Sequence, residues 1–149
     1  MTPETMISLG KVGGAAALGL SAFGSALGTG TAGQAAVGAW KKCYAQNKLA
    51  PFMLVAFVGA PLSQTIYGFI VQLQLIAAAL KGAPPASIIG AGVFGGLAMG
   101  ASAWLQGKVS AAASDALAET GQGTANYFMA VGIVETVALF TLAFILRAV

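Results

Sequence analysis

Apolar residues fill four long stretches of the chain, and short polar or Gly/Pro-rich breaks separate these stretches. They run over residues 6–40, 49–80, 86–109 and 125–149. The hydrocarbon core of a bilayer is about 30 Å thick, and a helix needs about 20 apolar residues to cross it. Each stretch is long enough, so the pattern predicts an all-α membrane protein with four transmembrane helices.

The four predicted helices alternate between two types. The first and third are rich in glycine and alanine, whereas the second and fourth carry bulkier side chains. In the third helix glycine recurs every fourth residue, at Gly92, Gly96 and Gly100, and such spacing lets helix backbones approach closely in lipid. We therefore expect two tandem hairpins, over residues 1–81 and 82–149, with the small-residue helices on the crowded inner side of a curved assembly.

The composition indicates that lipid is the solvent for most of the surface. Hydrophobic residues make up 58% of the chain and charged residues 7%, whereas a soluble domain carries about 25% charged residues. The chain has no histidine and one cysteine, which excludes Ser-His-Asp chemistry and an intrachain disulfide. The net charge of +3 is too scattered for a nucleic-acid surface.

The basic residues predict the orientation of the helices. Lys41, Lys42 and Lys48 cluster between the first two helices, and basic loops stay on the cytoplasmic side. The loop after the third helix is then cytoplasmic too, whereas both termini and the Lys81 loop lie outside. We expect soluble partners to dock at the polar cytoplasmic ends, and Cys43 to lie free in the first cytoplasmic loop.

One carboxylate, Glu135, falls near the middle of the fourth helix among mostly apolar neighbours. An ionised carboxylate at that depth costs several kcal/mol unless it is paired or neutralised. Lys11, Lys108 and Arg147 all lie toward helix ends, so none of them is an evident partner. Glu135 must either stay protonated or bind a mobile cation, and both states suit an ion carrier. A permanently protonated glutamate that bonds a neighbouring helix is the alternative.

Polar residues also interrupt the second helix, around Pro61. Proline has no N–H, so a backbone carbonyl near it becomes available to a ligand. Ser63, Gln64 and Tyr67 follow within two turns, and Ser63 and Tyr67 share a face of the helix. In the third helix, Gln106 falls at a depth similar to that of the carboxylate. Hydrogen bonds between helices, without any ligand, are the alternative role for these residues.

Together these groups match the needs of a hard cation better than those of a proton. An alkali ion needs several oxygens to replace its water shell, and about five are available here. They belong to Glu135, Gln64, Gln106, Ser63 and a carbonyl near Pro61. Tyr67 can hold the carboxylate in place by donating its hydroxyl. The number of neutral oxygens favours Na⁺ over H⁺, although a protonated Glu135 also fits the pattern.

Three segments resemble the K subunit of bacterial V/A-type rotary ATPases, the duplicated c-ring proteolipid. They are residues 64–69, 106–109 and 135–136, and the resemblance covers the whole chain. It implies a Na⁺ site whose ligands are the backbone oxygen of Ala60 and the side chains of Ser63, Gln64, Gln106 and Glu135, with Tyr67 hydrogen-bonded to the glutamate. The chain departs from the family at Leu62 and Thr65, where the family often has glycine.

The resemblance also implies partners and a location. Several copies would form a ring in the plasma membrane, against a stator a/I subunit whose arginine displaces the ion. Central-stalk subunits would contact the cytoplasmic loops. The chain itself has no nucleotide-binding motif, so we expect a non-catalytic subunit. The alternatives are a ring that carries H⁺, a small secondary transporter with a lone membrane carboxylate, and a passive pore or structural membrane protein.

Overall fold

A computed structural model describes residues 2–149, and these residues form helices joined by short turns, without a strand. The helices are α1 (Pro3–Ala45), α2 (Met53–Gly59), α3 (Ser63–Leu80), α4 (Pro85–Thr120) and α5 (Thr124–Ala148), with a 3₁₀ turn at Ala60–Leu62 between α2 and α3. By length and composition, four segments can cross a membrane: α1, the segment Met53–Leu80, α4 and α5. The predicted fold class, an all-α membrane protein with four spans, is confirmed.

Proline and glycine mark several helix ends. Pro3 and Pro85 occupy first-turn positions of α1 and α4, where a missing N–H is harmless. Gly121 ends α4 with φ +66°, and its N–H donates to the carbonyl oxygen of Leu117 at 2.9 Å. A left-handed residue at this position suits glycine, which has no Cβ to clash.

The two longest helices extend farther than the hydrophobic pattern predicted. Residues 41–45 belong to α1 rather than to a loop, and α4 continues through its polar end to Thr120. At 1.5 Å per residue, α1 is about 65 Å long and α4 about 54 Å. The Lys42 ammonium lies 3.2 Å from a Glu119 oxygen and 3.8 Å from an Asp115 oxygen. The C-terminal parts of α1 and α4 therefore contact each other through ion pairs, with Lys42 on α1 and Asp115 and Glu119 on α4.

Cys43 was predicted to lie free in a cytoplasmic loop; its thiol is free, but its placement in a loop is wrong, because it lies within α1. The side chain is 1% exposed, and its Sγ lies 4.0 Å from the carbonyl oxygen of Ala118 on α4. The reason is helical periodicity: Ala36, Ala39 and Cys43 share the face of α1 that packs into the core.

The small-residue helices α1 and α4 pack against each other more extensively than any other pair of helices. A Cβ built at Gly24 would meet the backbone of Gly100, and one built at Gly28 would meet the backbone of Ala103. Glycine is required at both contacts because the backbones themselves touch. Because this pair joins the two halves of the chain, the hairpins do not stand apart. The division at residues 81/82 stays a prediction.

The apolar core is divided into two clusters along the helix axes. The first cluster includes Leu54, Phe57, Leu117 and Val131. The second cluster includes Val71, Leu75, Met99 and Ala138. The polar residues singled out by the sequence fall between the two clusters: Gln64 in the second span, Gln106 in α4 and Glu135 in α5. A polar layer therefore crosses the interior between them, formed by residues such as Gln64, Ser102 and Gln106.

Candidate ion-binding site

The Glu135 carboxylate lies in this polar layer, and both of its oxygens accept a hydrogen bond. The hydroxyl of Tyr67 donates to Oε1 at 2.6 Å, and the Nε2 amide of Gln106 donates to Oε2 at 3.1 Å. In residues 2–149, the ion pairs within 4.0 Å all involve Lys42. Within the described part of the chain, the carboxylate therefore meets neutral donors and no basic side chain.

Two glutamines connect the second span to α4 and α5. Gln64 and Gln106 are both fully buried, and Gln64 Nε2 donates to Gln106 Oε1 at 2.7 Å. Gln106 Nε2 also lies 3.2 Å from the carbonyl oxygen of Val131. A buried amide without partners is costly, so these contacts hold both side chains in place next to Glu135.

The 3₁₀ turn places the remaining candidate oxygens. The carbonyl oxygen of Ala60 accepts the backbone N–H of Ser63, and the Ser63 hydroxyl lies 3.1 Å from the same oxygen. That hydroxyl also lies 3.2 Å from Gln64 Oε1. Pro61 therefore tightens the helix locally, because a turn with shorter hydrogen-bonded rings replaces the regular one.

The structure brings all six predicted site residues into one connected set of polar contacts. The set runs from the Ala60 carbonyl through Ser63, Gln64 and Gln106 to Glu135, and Tyr67 joins it at the carboxylate. Their roles as ligands stay a prediction. Lys108 follows Gln106 closely in the sequence, but its ammonium lies over the Trp104 ring, 4.5 Å from the ring centroid.

Sequence reasoning did not single out Ser102, a further side chain that makes a polar contact at the site. The Ser102 hydroxyl donates to the carbonyl oxygen of Val134, the residue before Glu135, at 2.9 Å. Ser102 is 4% exposed. The available signal was its spacing, because Ser102 lies four residues before Gln106 and so shares its face of α4.

Among the described residues that form the site, Glu135 supplies the single carboxylate. In residues 2–149 no three His, Cys, Asp or Glu side chains come together as a candidate metal cluster. A single carboxylate among neutral oxygens is balanced by one positive charge. The donor set therefore fits a monovalent cation or a proton, whereas a divalent ion would leave an uncompensated buried charge.

The ATP synthase C-subunit family matches the chain over residues 89–146. The match spans most of α4 and α5 and contains Ser102, Gln106 and Glu135. It supports the c-ring proteolipid family, and with the four apolar helices it indicates a multi-pass membrane protein. No curated protein matches the chain.

Proposed function

We propose that this chain is the rotor-ring (c-ring or K) subunit of a V/A-type rotary ATPase, and that it carries Na⁺ across the membrane on Glu135. The observation that carries the proposal is the connected set of polar contacts between the Ala60 carbonyl and the Glu135 carboxylate, which brings the candidate ligand groups together. The family match over the second half of the chain supports the rotor-ring role.

The proposal of Na⁺ rather than H⁺ rests on the number of neutral oxygens. A proton needs one carboxylate oxygen and one hydrogen-bond partner, and Tyr67 already provides a partner at 2.6 Å. The two glutamines and Ser63 then have no task in a proton site beyond helix contact. An alkali ion uses their oxygens in place of its water shell.

The amide of Gln106 has both a donor and an acceptor, so it can contact the Glu135 carboxylate both when it is free and when a cation is bound. Its nitrogen faces Glu135 at 3.1 Å, so it stabilises a free carboxylate by donating. A half-turn of the amide exchanges oxygen and nitrogen at nearly the same positions. The oxygen then faces the carboxylate, as ligation of a cation requires, and the Gln64 amide turns with it, because the Gln64 Nε2 that now donates to Gln106 Oε1 would otherwise face a second donor.

The V/A type is favoured by the count of carboxylates per chain. The four spans carry one carboxylate between the two core clusters, and Gln64 in the second span contacts Gln106 of the same site. One ion per four helices, rather than one per two, favours a pumping role driven by ATP hydrolysis in partner subunits.

The mechanism requires several copies in a closed ring, because the sites must meet the stator in turn. With its ion bound, Glu135 is neutral and can pass through lipid. At the stator an arginine of the a/I subunit displaces the ion, and the emptied site reloads from an access channel. Rotation of the ring then couples the ion flow to the central stalk.

Carbodiimide labelling of Glu135 in the purified ring tests the proposal, because carbodiimides react with a protonated carboxyl group. The label is located by peptide mapping, since Glu4, Asp115 and Glu119 are also carboxylates. Labelling is followed across pH with added Na⁺ or with K⁺ at the same ionic strength. We expect Na⁺ to slow the labelling of Glu135 and K⁺ to leave it unchanged.

Two results would count against Na⁺ transport. Labelling that follows pH alone and ignores Na⁺ would show a proton site, with the glutamines as contacts between helices. Equal protection by Na⁺ and K⁺ would show an effect of ionic strength rather than a selective site.

A further inference from the structure

Helix α5 carries the carboxylate, yet it is the least buried span of the protomer. Only Val131 and Ala138 of α5 are buried. Helices in lipid gain no hydrophobic stabilisation from one another, so close packing and interhelical hydrogen bonds hold them together. Within one protomer, the position of Glu135 therefore depends on a small number of contacts.

Two side chains of α4, one helical turn apart, donate to the backbone of α5 around the carboxylate. Ser102 Oγ donates to the Val134 carbonyl at 2.9 Å, and Gln106 Nε2 lies 3.2 Å from the Val131 carbonyl. Both carbonyls already accept an N–H within α5, but a carbonyl oxygen has two lone pairs and can accept twice. These contacts fix the register between α4 and α5 at the level of Glu135.

The two contacts differ in what happens when the site changes its state. Gln106 also donates to the carboxylate itself, so its partners must change when the carboxylate gains or loses a cation. The hydroxyl of Ser102 instead bonds the backbone carbonyl one residue before Glu135, and the hydrogen bonds of the Glu135 carboxylate come from Tyr67 and Gln106. Its bond can persist through the whole cycle.

We propose that Ser102 is a positioning residue that keeps the α5 backbone on α4 while the partners of the Glu135 carboxylate change. This inference rests on the proposed ion-carrying role of Glu135. Without the Ser102 hydroxyl, the remaining polar contacts that hold α5 at this level are those of Gln106, which change partners, and the Tyr67 bond to the carboxylate itself. The carboxylate then has more positions available, and the arrangement that binds an ion is less populated.

The test compares Ser102→Ala and Ser102→Cys with a matched control, Ser114→Ala, in the assembled ring. Ser114 is also a buried serine of α4, but its hydroxyl donates to Ser110 of its own helix at 2.9 Å. The quantity measured is the Na⁺ concentration that half-protects Glu135 from the carbodiimide. We expect it to rise about threefold to tenfold in both Ser102 variants, the range for one interhelical hydrogen bond in a membrane. Ser114→Ala should stay within about twofold of the unaltered ring by the same measure.

The thermal stability of the ring is measured as well, to distinguish a residue that positions Glu135 from one that only stabilises the fold. If the Ser102 variants lose stability but keep the half-protecting Na⁺ concentration, the proposal is wrong. It is also wrong if the Ser114 control shifts as much as they do. Cysteine keeps nearly the size of serine but donates weakly, so it serves where alanine prevents assembly. Failure of both variants to assemble would assign Ser102 to folding and overturn the positioning role.

The same experiment distinguishes failure of this inference from failure of the proposed function. If Na⁺ does not protect the unaltered ring, the Na⁺ proposal fails. The labelling rate at fixed pH without Na⁺ then decides the role of Ser102. A rate about threefold higher in the Ser102 variants than in Ser114→Ala supports positioning, and equal rates overturn it.

Discussion

Glu135 is held by two donors of different kinds, and the difference assigns them different tasks. The Tyr67 hydroxyl comes from the second span at 2.6 Å, whereas the Gln106 amide comes from α4 at 3.1 Å. An amide can present either an oxygen or a nitrogen, but a tyrosine facing a carboxylate can only donate its proton. Tyr67 therefore orients the carboxylate, and Gln106 can respond to its charge.

Replacing the carboxylate should stop transport and leave the protein folded. Glu135→Gln keeps the size of the side chain and its hydrogen-bonding capacity, so the ring should assemble. Without an ionisable group at this position, ATP-driven Na⁺ uptake by vesicles reconstituted with the complete ATPase should be lost. Glu4→Gln, at an exposed position of α1, is the matched control and should transport normally. Transport that survives Glu135→Gln would show that another residue carries the ion.

Removing the Tyr67 hydroxyl should weaken ion binding without abolishing it. A hydrogen bond to a charged group contributes about 1.5–3 kcal/mol. Tyr67→Phe should therefore raise the half-protecting Na⁺ concentration in the carbodiimide assay by about tenfold or more. Tyr44→Phe, at an exposed tyrosine of α1, should leave it unchanged. Equal Na⁺ affinity in Tyr67→Phe and the unaltered ring would assign the Tyr67 contact to packing only.

At the scale of the helices, α1 and α4 form a close-packed pair that supports the site. Their glycines fall at the points of backbone contact, as at Gly28 and Gly107. The second span, which carries Tyr67, packs on α1 and α4, and α5, which carries Glu135, packs mainly on α4. The distance between Tyr67 and Glu135 thus depends on how closely α1 and α4 approach.

Replacing glycines of α1 by alanine should lower stability where the glycine contacts another helix and should have little effect elsewhere. A Cβ at Gly28 would meet backbone and Pro61 atoms, whereas one at Gly30 has open space around it. Gly28→Ala should destabilise detergent-dispersed protomers by about 1–3 kcal/mol, the usual cost of overpacking. Gly30→Ala should be neutral or slightly stabilising. Unfolding by a denaturing detergent measures both, and similar losses would mean that α1 and α4 do not approach as closely as described.

The sequence was enough to predict the four spans and the polar layer because both depend on local pattern. The length of an apolar stretch predicts a span. A carboxylate or glutamine within such a stretch is conspicuous because placing it in an apolar environment costs free energy. The end of α1 was missed because two consecutive lysines, Lys41 and Lys42, are typical of a loop. The sequence does not show that Lys42 pairs with Asp115 and Glu119 of α4. The Ser102 contact was missed because its acceptor is a backbone carbonyl, which every residue has. Which carbonyl of α5 accepts the Ser102 hydrogen bond depends on the register between α4 and α5, and the sequence does not show that register.

At the scale of the whole molecule, the chain has two distinct ends. At one end of the molecule, the C-terminal part of α1 contacts the C-terminal part of α4 through Lys42 and Glu119. The turns at 46–52 and 121–123 lie beside this contact. Near the other end, Gly13 of α1 lies against Ile88 of α4, near the turn at 81–84. Under the proposed function, the orientation of these ends in the membrane decides which one would face the central stalk.

Cysteine labelling should assign the two ends to the two sides of the membrane. We expect Gln46→Cys to react with an impermeant maleimide from the cytoplasmic side and Ser87→Cys from the outside, because Lys41, Lys42 and Lys48 hold their end inside. Both positions are exposed and both substitutions leave the charge unchanged. Cys43 is an internal control, since a buried thiol should react only after unfolding. The reverse pattern would place the Lys42–Glu119 end outside the cell, and the central stalk could not dock there.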